Sequence, residues 1–171
     1  MRRLLPLFLF LLTFSIASRQ QIGSFIVETT KDELTDETII IAMSPAVVYP
    51  DFSDDAALYL RCTGNRFEIF VYADKFLDIN NEIRAKYKIG DVLIKYPERF
   101  FPSTDGTAAF VMSPKAFLVD LVNGDGGEMV IRLWNYRDTP YTYKFKLEGL
   151  MQVLNLMQPV CIGDELPKPR R

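Results

Sequence analysis

The segment Ile83-Arg-Ala-Lys-Tyr-Lys-Ile89 alternates apolar and cationic side chains without a break. Only an extended chain puts every second residue on one face, so this stretch has to be a strand with one side buried and the other wet. The same period recurs along the chain. Leu58, Leu60 and Cys62 alternate with Tyr59 and Arg61, and Phe67, Ile69 and Val71 alternate with Glu68, Phe70 and Tyr72. Between these two runs, Gly64-Asn65 is a hairpin turn. Further strands are expected at Phe25 to Glu28, Thr38 to Ala42, Val92 to Tyr96 and Ala108 to Met112. Two longer ones, Glu128 to Tyr136 and Tyr141 to Leu147, are joined around Asp138 to Pro140. Polar turns at Lys31 to Glu37 and Ser103 to Gly106 separate them. The expected fold class is mainly β, an antiparallel β-sandwich-like domain with two short helices packed on it.

The helices show a different spacing. After Ser113 as N-cap and Pro114 at the first helical position, Pro114, Phe117, Leu118 and Leu121 fall at i, i+3, i+4 and i+7, and Gly124 closes the element. A second apolar stripe, Leu150, Met151, Val153, Leu154 and Met157, runs to about Gln158, where Pro159 is expected to stop it.

The chain opens with Arg2 and Arg3, an apolar run from Leu4 to Ile16, and small residues at Ser15, Ala17 and Ser18. These are the three parts of a secretory signal peptide, and cleavage after Ala17 fits best. The run is too short to span a bilayer, which takes about 20 residues, so no stable membrane anchor is expected after cleavage. The domain plan is therefore a signal peptide at 1–17, a single β-rich domain at 18–162, and a loose tail at 163–171 containing Pro167 and Pro169. An exported protein meets an oxidising compartment, and Cys62 and Cys161 are the only two cysteines, so they are expected to be bonded to each other.

The mature chain would carry 18 basic against 22 acidic side chains, a net charge of −4, which gives no global reason to bind nucleic acid. No histidine occurs anywhere. That removes Ser-His-Asp and Cys-His catalysis and every zinc site built on imidazole. The carboxylate pairs Asp54 with Asp55, Asp78 with Glu82, and Asp32 with Asp36 are of the kind chance supplies in an acid-rich chain. Asn123-Gly-Asp-Gly-Gly-Glu128 offers oxygen ligands but lacks the frame of an EF-hand, and reads as the glycine-rich end of a helix. No cofactor and no metal are expected.

Several local sequences come in a suggestive order: Phe25-Ile-Val-Glu28, Asp32-Glu-Leu-Thr-Asp36, Leu60-Arg-Cys62 with Asn65, and Tyr87-Lys-Ile89. The helix from Ser113 follows, then Phe145-Lys-Leu-Glu-Gly149-Leu150 running to Cys161. From about Phe25 to Cys161 this resembles the exported proteins associated with bacterial type VI secretion, the VasI or TagO-like family. The resemblance implies a periplasmic, β-sandwich-like domain with a cysteine bridge that acts as an accessory protein and not as an enzyme. Three functions stay open: an exported, non-enzymatic accessory or interaction protein of the periplasm or outside, a carboxylate-based glycan hydrolase, and a carrier of small apolar ligands. For the first, strand alternation leaves Arg84, Lys86 and Lys88 on the wet side of one strand and Lys144 and Lys146 on that of another. If both strands share a sheet, they form a basic face suited to another envelope or secreted protein or to an anionic envelope polymer; the alternative is a merely solvated face. N-terminal sequencing of exported material is expected to begin at Ser18, and a mature chain that retains Met1 would contradict the leader.

Overall fold

The computed structural model describes residues 18–47, 55–93, 98–124 and 127–163. The expected leader at 1–17, nearly all of the expected tail, and the second half of the expected Val92 to Tyr96 strand lie outside these residues. The described strands are β1 (Ser18–Ile22), β2 (Phe25–Lys31), β3 (Thr38–Pro45), β4 (Ala57–Thr63), β5 (Arg66–Tyr72) and β6 (Ile83–Ile89). They continue with β7 (Val92–Leu93), β8 (Glu98–Pro102), β9 (Ala108–Val111), β10 (Glu128–Trp134) and β11 (Pro140–Lys146). The helices are α1 (Pro114–Asn123) and α2 (Leu150–Met157).

All eleven strands belong to one sheet in the order β1-β2-β3-β4-β5-β9-β8-β6-β10-β11, with β7 paired to β6, and every pairing is antiparallel. The fold is thus mainly β and β-sandwich-like, as the alternation requires. Side chains at the two ends of this path enter one hydrophobic core: Phe25, Val27, Leu58 and Leu60 from the first half, with Ile83, Met129, Tyr143 and Phe145 from the second. Such a sheet has to fold over on itself. Where it returns, Ala46 bridges Phe145, the Val47 N–H donates to the Lys144 carbonyl at 2.7 Å, and the buried Ser44 hydroxyl donates to the Lys146 carbonyl at 2.8 Å. Tyr143, fully buried, donates its hydroxyl to the Ala73 carbonyl at 3.0 Å, and burial pushes its phenol above the ordinary value.

Two glycines make the closure possible. The β1–β2 turn lies against the junction of β11 and α2, with the Ser24 N–H donating to the Glu148 carbonyl at 2.9 Å. Gly23 and Gly149 both adopt positive φ, at 58° and 86°. A methyl group on Gly23 would stand 2.2 Å from the Glu148 oxygen, and one on Gly149 would stand 2.5 Å from the Ile22 oxygen.

The helices cover the core where the strands leave it open, α1 burying Phe117, Leu118, Leu121 and Val122 and α2 burying Leu150, Val153, Leu154 and Met157. Cys62 and Cys161 form the expected disulfide. In the chain-entropy picture, closing a loop this long stabilises by about 4 to 5 kcal/mol. It is the bond an oxidising compartment permits.

Four local expectations need correction. Strands β1 and β8 were not anticipated. Ser113 occupies the N-cap of α1, yet its side chain makes no capping hydrogen bond. Pro159 does not stop the second helix, because the chain widens into a π-helical turn, Gln158–Ile162, that contains it. A wider turn tolerates the missing proline N–H and carries Cys161 round to face Cys62. Gly23→Ala is expected to cost about 2 kcal/mol in urea denaturation, since it adds both backbone strain and a clash; a loss below about 0.5 kcal/mol would mean that the closure is loose.

Candidate docking face

Strands β6, β10 and β11 lie side by side with β10 in the middle. On β6, Ile83, Ala85, Tyr87 and Ile89 are buried and Arg84, Lys86 and Lys88 are exposed. On β10 the outward set is Glu128, Val130, Arg132 and Trp134, and on β11 it includes Thr142, Lys144 and Lys146. Register then builds rows across this outer face. Lys88, Val130 and Lys144 form one row, Lys86, Arg132 and Thr142 the next, and Glu128 stands opposite Lys146. The five cations expected from alternation thus share one face, with Arg132 added in their midst. Arg132 lay in a segment already read as a strand, and its outward position follows from the same alternation.

The charges on this face differ in their partners. Arg84 pairs with Asp138 at 2.5 Å, Lys88 with Asp91 at 3.6 Å, and Lys144 with Glu128. Lys86 and Lys146 have no acidic partner among the described residues. Arg132 meets only a neutral group, its Nε donating to the Thr142 hydroxyl at 3.0 Å. Lys86 and Arg132 are therefore like charges directly opposite each other across two strands, an arrangement that disfavours the folded sheet.

One end of this face carries apolar surface that sequence reasoning missed. The Arg84 guanidinium lies over the Trp134 ring, 5.3 Å from its centroid. In the turn beyond, Tyr136 meets Phe76 edge to face at 5.6 Å, and Arg137 covers the Tyr136 ring at 5.0 Å. Phe76, Ile79 and Tyr136 are 45%, 49% and 54% exposed, high for such large apolar groups. Tyr136 was read as the end of a strand that in fact stops at Trp134, Phe76 and Ile79 carried no signal, and their convergence depends on the register of strands far apart in the chain.

The carboxylate pairs are otherwise occupied. Asp78 Oδ1 accepts the backbone N–H groups of Ile79, Asn80 and Asn81, and these bonds, led by that of Asn80, hold its carboxyl below the ordinary value. Asp32 is lowered in the same way by the N–H groups of Leu34 and Thr35. A general acid needs the opposite shift. Glu82 is bound to Arg99 at 2.8 Å, and Asp54 lies outside the described residues. In the Asn123 to Glu128 segment, Glu128 is held by Lys144, Asp125 lies outside the described residues, and no metal-sized group of acids occurs among those described.

The outer face of the first half is unlike the basic one. Ile26, Met43, Tyr59, Phe70, Phe110 and Phe101 form a single row across six strands. Tyr59 and Phe70 stack at 4.8 Å, and Phe70 and Phe110 at 4.7 Å. Rings stacked on one another present edges, leaving no face between them for a sugar. Beside this row a groove of about 820 Å³ runs between β5, α1 and the disulfide.

Compared with known protein families, curated proteins and solved structures, the chain matches none of them. The site therefore has to be read from its own geometry. Lys86→Glu is expected to raise stability by about 0.2–1 kcal/mol, because it turns the repulsive Lys86–Arg132 row into an attractive one; chemical denaturation reads this directly, and a destabilised variant would mean that the two cations do not repel.

Proposed function

We propose that the chain is an exported, non-enzymatic accessory protein that holds an acidic partner on the outer face of β6, β10 and β11. The observation that carries this reading is the Lys86–Arg132 row, in which two cations face each other without an acid. Like charges placed so are relieved by a ligand that brings negative charge between them. The protein is acidic as a whole, so a local basic face provides orientation as well as attraction.

The acidic surface of another envelope or secreted protein fits this face better than a uniform anionic polymer. The apolar tip made by Phe76, Ile79, Tyr136 and Trp134 gives a protein partner something to bury, and Trp, Tyr and Arg are the residues in which interface energy concentrates. Export is supported by the leader-like start of the chain and agrees with the disulfide. An accessory role in a bacterial secretion apparatus is what the resemblance to the VasI or TagO-like proteins adds.

Retention on immobilised poly-glutamate at low ionic strength tests the face. The wild-type protein is expected to bind despite its net negative charge and to elute as salt rises, while a variant carrying Lys86→Glu, Arg132→Glu and Lys146→Glu flows through with its melting temperature little changed. Equal retention of both would put the docking surface elsewhere. A photo-crosslinker at position 86 in the exporting cell then separates the partners, with protein adducts expected and polymer adducts contradicting the choice made here.

A further inference from the structure

We propose that the outer face of β2 to β5, β9 and β8 is the surface on which two copies of this chain associate, aromatic row against aromatic row. This surface is separate from the basic face and does not depend on the reading given to it. The inference starts from β3, where Thr38 is followed by Ile39, Ile40, Ile41, Ala42 and Met43. A strand with one wet face alternates, whereas an unbroken apolar run belongs to a strand covered on both sides. Among the described residues β3 is covered on one side only. Ile40 and Ala42 are buried in the core, while Ile39, Ile41 and Met43 point outward and are only half-buried.

Register extends this outward set across the half-sheet. Met43 belongs to the row that runs from Ile26 through Tyr59, Phe70 and Phe110 to Phe101. Ile41 lies between Glu28 and Arg61, and Ile39 between Thr30 and Thr63. With strands about 4.8 Å apart and successive outward residues about 6.8 Å apart, the face spans roughly 30 by 20 Å once side-chain width is included. That is on the order of 600 Å² before side-chain relief is added, the size of the largest patches that monomers expose and close to the about 800 Å² that each partner buries in a stable interface.

Charge decides which partner such a surface takes. The charged side chains around the row are already matched: Arg19 with Glu28 at 3.5 Å, Arg61 with Glu68 at 2.6 Å, Arg66 with Glu68 at 3.2 Å and Arg99 with Glu82 at 2.8 Å. The Arg61 guanidinium also lies over the Phe70 and Phe110 rings, 5.2 and 5.8 Å from their centroids. A face without an unrelieved charge offers an acidic or basic partner nothing to select, and it meets its own copy without burying an unpaired ion. The basic face could not do so, since a second copy would set Lys86 and Arg132 against themselves. Tyr59, Phe70 and Phe110, stacked along the row, present ring edges that can interleave with those of a copy turned about a two-fold axis. Two sheets brought together in this way make an aligned sandwich between chains.

The test measures the molar mass of the oxidised exported chain by sedimentation and light scattering. A dimer is expected at about 50 µM, a concentration at which an interface of this size holds, and the pair Ile41→Lys with Met43→Lys is expected to raise the dissociation constant at least tenfold. Both positions face outward, and the melting temperature of the dilute chain shows whether the variant is folded. A photo-crosslinker at position 59, which leaves β3 unaltered, is expected to join two chains through this face and decides the matter if the lysine variant does not fold. A wild-type chain that stays monomeric at that concentration would overturn the proposal, as would a dimer indifferent to both lysines or crosslinks that fall outside the face. A monomer that sediments with neutral phosphatidylcholine vesicles, and loses this when the two lysines are present, would overturn it in favour of a lipid surface. None of these results bears on poly-glutamate retention, which reads the other half of the sheet.

Discussion

The structure depends on one meeting of backbone, where the last strand returns to the first part of the sheet. At that place the Lys146 carbonyl accepts from two serine hydroxyls, those of Ser44 and Ser24, at 2.8 and 2.7 Å. Both serines come from more than a hundred residues away. If this seam opened, the inner sides of β2 to β5 and of β6, β10 and β11 would lose each other, and each is too apolar to face water alone. The seam works because nothing stands in it: Gly23 and Gly149 let two backbone turns touch where any side chain would hold them apart. Hydrogen bonds to carbonyl groups fix the position of the contact, while the free energy comes from the core that the contact encloses.

The disulfide answers a second problem, at a different corner. The ladder is incomplete beside β5, so the inner side of Phe67 has no neighbouring strand to shelter it. The π-helical turn Gln158–Ile162 lies over this corner, and Cys161 in that turn is tied to Cys62, which is the cross-strand partner of Phe67. The bond thus fastens a short, proline-containing turn over a gap in the sheet, a task for which the turn's own backbone bonds are poorly suited. The gap, the lid over it and the groove beside it all follow from Ser113-Pro114, which takes the chain out of β9 after Val111.

How far the sequence reveals all this differs from element to element, for physical reasons. Ile83 to Ile89 was legible to the residue, since one face of β6 is buried and the other wet along its whole length. β1, Ser18-Arg-Gln-Gln-Ile22, has no buried residue; it is a strand because it pairs with β2, and nothing in its side chains says so. β8 carries adjacent Phe100 and Phe101, one facing the core and one the outer aromatic row, so its apolar residues do not alternate. The cysteine pairing needed only a count and a compartment. The five outward cations of β6 and β11 were readable from alternation, but their acids were not: Asp91 and Asp138 sit in turns and Glu128 on a neighbouring strand, and all three are placed by register and turn geometry. The apolar tip and the groove were harder still, because both arise where the chain departs from regular strands.

What separates a docking face from a solvated one is the cost of leaving it unbound. A surface evolved only for solubility intersperses opposite charges, and much of this molecule does so: Arg61 with Glu68, Arg99 with Glu82, Arg84 with Asp138. The centre of the β6, β10 and β11 face departs from that pattern. Its middle row sets Lys86 against Arg132, in a sheet whose other rows place Glu128 within reach of Lys144 and opposite Lys146. A neutral or acidic residue at position 86 would stabilise the strand pair at once, by the same cross-strand rule that favours the Arg61–Glu68 pair between β4 and β5. The other like-charged pair, Arg84 opposite Arg99 across β6 and β8, differs in that each is held by an acid of its own, and a local arrangement that works against the fold without such relief is where function is to be sought. The repulsion is small beside the core and the disulfide, so the fold tolerates it, and on the proposed reading an arriving carboxylate would turn it from a cost into binding energy.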